Sequence, residues 1–354
     1  MKKHGKLVHL GIGIGFGAFF LWFALRDVDP GKLWECLKSV RLWTLGPMLA
    51  LLVLFFWLKA IRWSLLLRPL RPEAPLRVRE VVPAMMIGFM GNNVLPAHLG
   101  EFLRMYVLGK QHSLSKTAVL STIVLERVLD FLAIIGTFAV ILQFLPDVGP
   151  DLEERMDMVE KAGLTVGIAS FVVFLAFLAF VWRTELALRW MEIGFGVLPG
   201  RLRTKLLAMA RLGVEGLYSL RSPRALLAIL VLTAVHWSLN GFIHYLASVS
   251  FLGGSRLPVG AAFLLLSVTA LGVTLPSAPG YVGILQACFV VALGVYGIGP
   301  EVAVAASFYA LVVGWVPVTL VGFWFLGRLG MRLGALSREA EQETEVRPAR
   351  ATER

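Results

Sequence analysis

The sequence predicts an all-α polytopic membrane protein, with about six full transmembrane helices and two re-entrant or broken helical hairpins in an inverted-topology repeat. Composition is the first observation: 57% of the 354 residues are hydrophobic and 16% are charged, whereas soluble domains carry about 25% charged residues. The second is a set of six apolar segments of spanning length. The third is that two further apolar regions, one in each half, are interrupted by Gly and Pro.

The six full spans follow from the lengths of their apolar runs. They are predicted at about 7–25, 42–67, 117–145, 162–182, 225–252 and 302–326. The first follows a basic start, matches the thickness of a bilayer and precedes no small-residue cleavage site, so we expect an uncleaved helix. A cleaved signal peptide is the alternative. In this first span, the pairs Gly11/Gly15 and Gly13/Gly17 predict close packing against another helix.

The two interrupted regions, about 83–108 and 258–298, share the pattern L-P-x-x-x-G. It occurs at Leu95–Gly100 and again half a chain later at Leu275–Gly280. Irregular backbone at membrane depth is tolerated only where it is buried in protein or lines a wet cavity. Broken helices at corresponding positions of oppositely oriented halves are typical of a midplane transport site. The expected breaks are Pro96, Gly100, Pro276, Pro279, Gly280 and Gly283. Two full spans over 258–298 are the alternative.

The distribution of Lys and Arg predicts the orientation. If the N-terminus is cytoplasmic, 24 of the 34 Lys and Arg residues lie in cytoplasmic stretches and seven in external ones, as the positive-inside rule requires. We therefore expect a multi-pass protein of the cell (inner) membrane with both termini in the cytoplasm. The net charge of +11 then reflects topology and attraction to anionic headgroups, and no nucleic-acid partner is expected.

A single transmembrane domain is expected over residues 1–330, with halves of about 1–160 and 161–330. In the second half, 183–224 has the apolar and basic spacing of an interfacial amphipathic helix. The charged and polar residues 331–354 predict a disordered cytoplasmic tail.

Three ionisable residues, Glu126, Arg127 and Asp130, lie inside the 117–145 span. Glu126 comes ten residues after Lys116, about 15 Å into the bilayer. A charge at such a depth costs at least ~2.5–3.5 kcal/mol and defaults to a functional role. Glu126 and Asp130 share a helix face at i,i+4, and Arg127 is expected to pair with Asp130 at i,i+3. The alternative is a buried ion network that only holds helices together.

Two cationic residues, Lys59 and Arg62, lie in the 42–67 span. Lys59 is about 13 Å from Arg68 by helix rise, too far to reach the interface comfortably. It is therefore expected to partner the acidic residues of the 117–145 span. Arg62 is expected to snorkel to the cytoplasmic interface. Both are candidate substrate-binding residues.

Polar residues in and after the first break form the next candidate group. Asn92, Asn93 and His98 lie in the break. Glu101 and Arg104 follow at the start of a second half-helix, whose free N–H groups would favour an anion. Arg104 is expected to make a bidentate phosphate contact. A merely interfacial arginine is the alternative.

A polar stripe, His236, Asn240 and His244, lies at i,i+4,i+8 on the 225–252 span. The two His are about 12 Å apart along the helix, too far to bind one metal in the usual geometry. We expect the stripe to face a cavity, or to form hydrogen bonds between helices.

No enzyme signature accompanies these residues. The sequence contains no ATP-binding loop, zinc-protease motif or nucleophile elbow. Its two cysteines, Cys36 and Cys288, form neither a disulfide framework nor a metal motif. The sequence therefore predicts no enzymatic activity, no catalytic residue, no cofactor and no metal.

Three stretches, GNNVLPAHLGEFLRMYVL, VLERVLD and LPSAPGYVGILQ, together resemble the lysylphosphatidylglycerol synthase transmembrane-region family. The resemblance covers the chain up to about residue 330 and implies a flippase-like domain that moves a lipid headgroup between leaflets. Some members are fused to an aminoacyltransferase that this sequence lacks, so lipid synthesis is not expected. The family's polar positions correspond to Asn93, Pro96, Gly100, Glu101, Arg104, Glu126, Arg127, Asp130, Pro279, Gly280 and Gly283. The departures are His98 and Ala310, where Arg is frequent, and Gln286, where relatives have Glu.

These features predict ATP-independent translocation of an anionic phospholipid, an aminoacylated phospholipid or an isoprenoid-phosphate-linked glycan. Arg104 and Arg127 would contact the phosphate, while Glu126 and Asp130 would balance its charge or bind a headgroup amine. One alternative is a non-catalytic membrane partner subunit of an envelope lipid or glycan pathway. Another is a lipid transferase with Glu126 or Asp130 as base and His98 as its partner. A homo-oligomer and a lipid- or glycan-modifying enzyme partner are both left open.

Overall fold

A computed structural model describes residues 15–95, 99–145, 218–253, 257–274 and 279–331, with scattered positions between 161 and 207. Most of the predicted 162–182 span and of 183–224, the tail from 332, and Pro96, His98 and Pro276 lie outside the described residues. The helices are α1 (Gly15–Leu25), α2 (Pro30–Lys38), α3 (Leu45–Leu67), α4 (Val78–Val94), α5 (Gly100–His112), α6 (Lys116–Leu142), α7 (Pro223–Val249), α8 (Gly260–Gly272), α9 (Ile284–Gly294) and α10 (Pro300–Arg328).

Three helices in the described part of the chain are long and apolar enough to cross a membrane. They are α3 with its flanking turns (Leu42–Leu70), α7 and α10. With 27 residues, α6 is as long as α7, but it carries the charged group around Glu126 near its middle. Shorter apolar helices are formed by α1, α8 and α9. The predicted all-α, polytopic membrane fold is confirmed, and the bounds of α3, α6, α7 and α10 lie within three residues of the predicted spans.

Both L-P-x-x-x-G patterns lie where the helices break, one between α4 and α5 and the other between α8 and α9. In the second break, Gly280 and Gly283 have φ angles of 78° and 94°, and Tyr281 has a φ of 60°. Two of these three positive-φ positions are therefore held by glycine, which has no Cβ to oppose that conformation. Whether the hairpins are re-entrant, and the repeat inverted, stays a prediction.

The two arms of the first hairpin, α4 and α5, touch through glycine backbone. A Cβ on Gly88 would lie 2.9 Å from the carbonyl oxygen of Gly100, and a Cβ on Gly91 would lie 2.9 Å from the Cα of Gly100. Such approaches are too short for real side chains, so only glycine lets the arms come this close. Gly283 likewise abuts the backbone oxygen of Gly17 on α1, which agrees with the close packing expected at Gly17.

The contacts between helices repeat in the two halves. Each contact has a counterpart when α3, α4, α5 and α6 are replaced by α7, α8, α9 and α10 in that order, and the reverse. Between the two sets, α3 packs on α7, α4 on α10 and α6 on α8. Within each set, α4 packs on α5 and α8 on α9. The apolar core lies between these helices, and Trp63, Met85, Ile87 and Leu103 are fully buried in it. The two halves therefore have equivalent helix contacts, as an internal repeat requires.

One helix, α2, lies in a stretch where no element was predicted. An Asp29 carboxylate oxygen accepts hydrogen bonds from the N–H groups of Gly31 (2.7 Å) and Lys32 (3.2 Å). Pro30 occupies the first helical position. An Asp followed by Pro is a helix-start signal, so the information for α2 was present in the sequence.

Candidate functional site

Five charged side chains from three helices meet inside the protein. Lys59 and Arg62 come from α3, Arg104 from α5, and Glu126 and Asp130 from α6. None of the five is more than 3% exposed. We call these five residues the buried ion network.

Glu126 accepts contacts on both of its carboxylate oxygens. Its Oε1 lies 2.7 Å from Lys59 Nζ and accepts a 3.1 Å hydrogen bond from Arg62 Nη2. Its Oε2 accepts a 2.7 Å hydrogen bond from Arg104 Nη2. Glu126 therefore links α6 to both α3 and α5.

Asp130, one turn further along α6, is also paired on both oxygens. Its Oδ1 accepts from Arg62 Nη1 at 2.5 Å and from Trp237 Nε1 at 2.9 Å. Its Oδ2 accepts from Lys59 Nζ at 3.2 Å. No oxygen of the two buried carboxylates is left without a donor.

The structure bears out the pairing expected for Lys59 and corrects the expectation for Arg62. Arg62 does not snorkel to the interface: it is fully buried and also donates a 2.8 Å hydrogen bond to Thr233 Oγ1 on α7. The physical reason is that two carboxylates lie within its reach at the same depth. Charge-assisted hydrogen bonds to both outweigh the hydration that a distant interface could offer.

Arg104 is held by an aromatic face as well as by Glu126. Its guanidinium carbon lies 3.5 Å from the centre of the Trp63 ring, a cation–π arrangement. Trp63 is itself fixed by a 3.1 Å hydrogen bond from Nε1 to Thr122 Oγ1. Although buried, Nε and Nη1 of Arg104 have no hydrogen-bond acceptor among the described residues, and neither has Nε of Arg62.

A second ion pair, Arg127 with Glu101, lies at the edge of the buried ion network. Arg127 Nη2 donates to Glu101 Oε1, and the two side chains are 44% and 18% exposed. The expected pairing of Arg127 with Asp130 is therefore wrong, because Asp130 is already occupied by Lys59 and Arg62. Glu101 Oε2 lies 3.9 Å from Arg104 Nη1, so Glu101 joins this exposed pair to the network.

Asn92 and Asn93, which were expected in the first break, lie in the last turn of α4 and have different neighbours. Asn92 Nδ2 donates to Glu101 Oε1 at 3.3 Å, next to the exposed ion pair. Asn93 Nδ2 donates to Thr319 Oγ1 of α10 at 2.9 Å, so it joins two helices and does not contact the network. From the second break, Tyr281 comes close enough to Arg127 and Glu101 for electrostatic interaction.

The predicted histidine stripe of α7 divides between two environments. His236 Nδ1 donates to the Leu232 carbonyl at 2.7 Å, and its Nε2 lies 3.7 Å from Asp130 Oδ1. His244 instead lies near Thr269 Oγ1, at 3.4 Å from its Nδ1. Asn240 is partly buried on α7, and among the described residues no hydrogen bond joins it to the network. Only His236 of this stripe therefore borders the candidate site.

Four residues that line the site were not predicted, because they are uncharged side chains within apolar spans. They are Trp63, Thr122, Thr233 and Trp237. A usable signal existed on α7, where Thr233 lies one turn before His236 and Trp237. That face, rather than the face continuing to His244, meets the charges of α3 and α6.

A family model described as the lysylphosphatidylglycerol synthase TM region matches residues 9–322. The chain belongs to this family. A curated relative, the UPF0104 membrane protein of Methanothermobacter thermautotrophicus strain Delta H, is 24% identical over 348 residues, which cover 94% of this chain and 95% of the relative. The resemblance drawn from the three motifs is thereby confirmed, and the chain is a membrane-embedded protein.

Within this member of the lysylphosphatidylglycerol synthase TM-region family, the whole candidate site falls inside the matched range. The family description names a membrane lipid. The chain therefore has a role related to membrane lipids. The site itself consists of a buried ion network, an exposed Arg127–Glu101 pair at its edge, and a helix break beside both.

Proposed function

We propose that this protein moves a lipid with an anionic headgroup between the leaflets of the cell (inner) membrane without ATP hydrolysis. The candidate lipids are an anionic phospholipid, an aminoacylated phospholipid and an isoprenoid-phosphate-linked glycan. The headgroup would pass the Arg127–Glu101 pair towards Arg104 while the lipid chains stay in the bilayer. The observation that carries the proposal is a cluster of ionisable side chains inside apolar helices, directly beside a helix break.

A gradient of exposure supports this route. Arg127 is 44% exposed and Glu101 is 18% exposed, whereas Arg104 is buried. Arg104 lies in the second turn of α5, after the break at Gly100, near the end of the helix that favours an anion. A headgroup phosphate could therefore first contact Arg127 and then exchange towards donors at greater depth.

The carboxylate contacts favour transport over the transferase alternative. A general base needs a carboxylate oxygen that is free to take a proton from substrate. Glu126 and Asp130 instead accept from cations on all of their oxygens. We propose accordingly a non-enzymatic role without cofactors. The distribution of Lys and Arg along the chain supports an orientation with both termini in the cytoplasm.

Reconstitution in liposomes tests the proposal. The assay follows the movement of fluorescent phosphatidylglycerol between leaflets for the wild-type protein and for Arg127→Gln. This change removes a headgroup contact, and Glu101, whose side chain is 18% exposed, keeps Arg104 Nη1 at 3.9 Å from its Oε2. Loss of one charge-assisted contact of ~1.5–3 kcal/mol should slow translocation by about tenfold or more.

The matched control is Arg26→Gln, an exposed arginine paired with Asp27 at 3.0 Å, far from the site in sequence. It should translocate lipid at the wild-type rate. A folded Arg127→Gln protein that moves lipid as fast as Arg26→Gln would contradict the proposed route, and no translocation by wild-type protein would contradict the function.

A further inference from the structure

We infer that the site accepts a headgroup with a single phosphodiester charge and no added amine, and that Glu101 holds the position of that anion between Arg127 and Arg104. The inference rests on the proposed function, because it names the headgroup class that the same site would take. Both a glycerophospholipid and a glycosyl isoprenoid phosphate can supply this chemistry.

The charge balance of the site is the first argument. The buried ion network contains three cations, Lys59, Arg62 and Arg104, but only two carboxylates, Glu126 and Asp130. The Arg127–Glu101 pair adds one charge of each sign. With His236 neutral, the site carries one positive charge in excess among the described residues. An unbalanced charge at this depth is costly, and a monoanionic ligand removes that cost.

The single excess positive charge also determines which classes of headgroup the site favours. A phosphodiester brings the site to neutrality, whereas a fully ionised phosphomonoester reverses its charge. A phosphodiester carrying an esterified lysine has two ammonium groups and a net charge of about +1, so it would increase the excess. Like charges brought together in a desolvated site repel each other strongly.

Hydrogen-bonding capacity is the second, independent argument. Every oxygen of Glu126 and Asp130 already faces a donor, so a headgroup ammonium finds no free acceptor there. Cationic donors, in contrast, are left over: Nε and Nη1 of Arg104 and Nε of Arg62 are buried without an acceptor. The buried acceptors without a donor among the described residues of the site are uncharged, Asn92 Oδ1 and His236 Nε2. Unsatisfied buried donors are costly, and phosphate oxygens would satisfy them. The earlier expectation that Glu126 and Asp130 bind a headgroup amine therefore does not fit the geometry.

The Glu101 carboxylate occupies the position that the ligand anion would take on entering the site. Its Oε1 contacts Arg127 Nη2, and its Oε2 lies 3.9 Å from Arg104 Nη1. A carboxylate between two guanidinium groups stands where two phosphate oxygens could stand, since Arg binds both groups in similar geometry. Glu101 would thus compete with the ligand, and loss of its charge should strengthen anion binding.

Competitive lipid binding tests this inference. The detergent-solubilised protein is offered equal amounts of phosphatidylglycerol, a glycosyl isoprenoid phosphate, phosphatidic acid, phosphatidylethanolamine and lysylphosphatidylglycerol, and bound lipid is quantified by native mass spectrometry. We expect one or both of the first two to bind at least about tenfold more tightly than either amine-bearing lipid. The first two arms identify the source of the phosphodiester.

Two variants complete the test. Glu101→Gln should bind phosphatidylglycerol about fivefold more tightly and should gain phosphatidic acid, because the site then carries two excess positive charges. The control is Glu35→Gln, an exposed carboxylate paired with Lys38 at 3.2 Å, which should bind like wild type. Arg104→Lys keeps the charge but removes the surplus donors, and should lose most of the binding.

The outcomes separate this inference from the proposed function. Equal or tighter binding of lysylphosphatidylglycerol, or a Glu101→Gln protein indistinguishable from Glu35→Gln, overturns the inference, even if Arg104→Lys fails to fold. Selective phosphodiester binding without translocation in liposomes supports the ligand class and overturns the transport proposal. Translocation of all the tested lipids at the same rate would support the transport proposal and overturn the inferred ligand class.

Discussion

Glu126 pairs with all three cations of the buried ion network, with Lys59, Arg62 and Arg104 on its two oxygens. Because the surrounding helices exclude water, removal of one partner leaves a desolvated charge rather than a hydrated one. The network therefore stabilises the contact between α3, α5 and α6 in addition to any role towards a ligand. Substitutions inside it have to be judged by their effect on folding first.

Asp130→Ala should lower the free energy of unfolding by about 3–5 kcal/mol, because Lys59 and Arg62 then keep only Glu126 as a buried counter-ion. Asp130→Asn, which keeps the shape and one acceptor oxygen, should lose less. Thermal unfolding of the detergent-solubilised protein measures both. Asp27→Ala removes an exposed carboxylate and should leave the midpoint unchanged. Equal effects at positions 27 and 130 would contradict the buried ion network.

At the scale of elements, the first hairpin depends on glycine contacts between α4 and α5. Gly100→Ala would push a Cβ onto the carbonyl oxygen of Gly88, and overpacking of this kind typically costs ~1–3 kcal/mol. The control is Gly136→Ala in α6, where a Cβ meets no atom within 4 Å and helix propensity favours alanine by ~0.5–1 kcal/mol. Unfolding midpoints should move in opposite directions. A Gly100→Ala protein as stable as wild type would show that the arms are not in backbone contact.

The unpredicted helix α2 offers a test of orientation through Cys36. Burial raises the pKa of the Cys36 thiol, and the carboxylate of Glu301 raises it further. A raised pKa leaves less thiolate at neutral pH, so an impermeant maleimide should label Cys36 slowly near neutrality and faster as the pH rises. Glu301→Gln should shift this profile to lower pH, whereas Glu35→Gln should not. The experiment uses a Cys288→Ser background.

The side of the membrane from which Cys36 reacts is a separate readout of the same experiment. A cytoplasmic N-terminus predicts that the reagent reaches α2 from outside in intact cells. Labelling confined to inside-out vesicles would contradict that orientation, whatever the pH profile.

At the scale of the whole molecule, the spans and breaks were predictable because hydropathy, Pro and Gly act locally. Partners within the buried ion network were predictable only in part. Lys59 was assigned correctly because the interface is beyond its reach, but Arg62 and Arg127 were not. Their choice of carboxylate depends on how α3 and α6 are rotated about their axes, which local sequence does not encode. Trp63, an uncharged partner on α3, carried no such signal.

The two sets of helices pair alike, yet all five residues of the buried ion network lie in α3–α6. In the second hairpin, Gln286 Oε1 accepts a 2.7 Å hydrogen bond from the Gly283 N–H and so caps the start of α9. The side chain at this position is therefore an uncharged cap. The two halves thus have equivalent helix contacts, while the buried ion network lies in the first half.

The buried ion network also has a consequence for biosynthesis. Arg62 is separated by 64 residues from Glu126 and by 68 from Asp130, so α3 is complete before its counter-ions have been translated. At about 5–20 residues per second, that interval lasts roughly 3–14 s. During it, α3 carries two unpaired cations that lipid rejects. We therefore expect α3 to leave the insertion machinery together with α6 rather than before it.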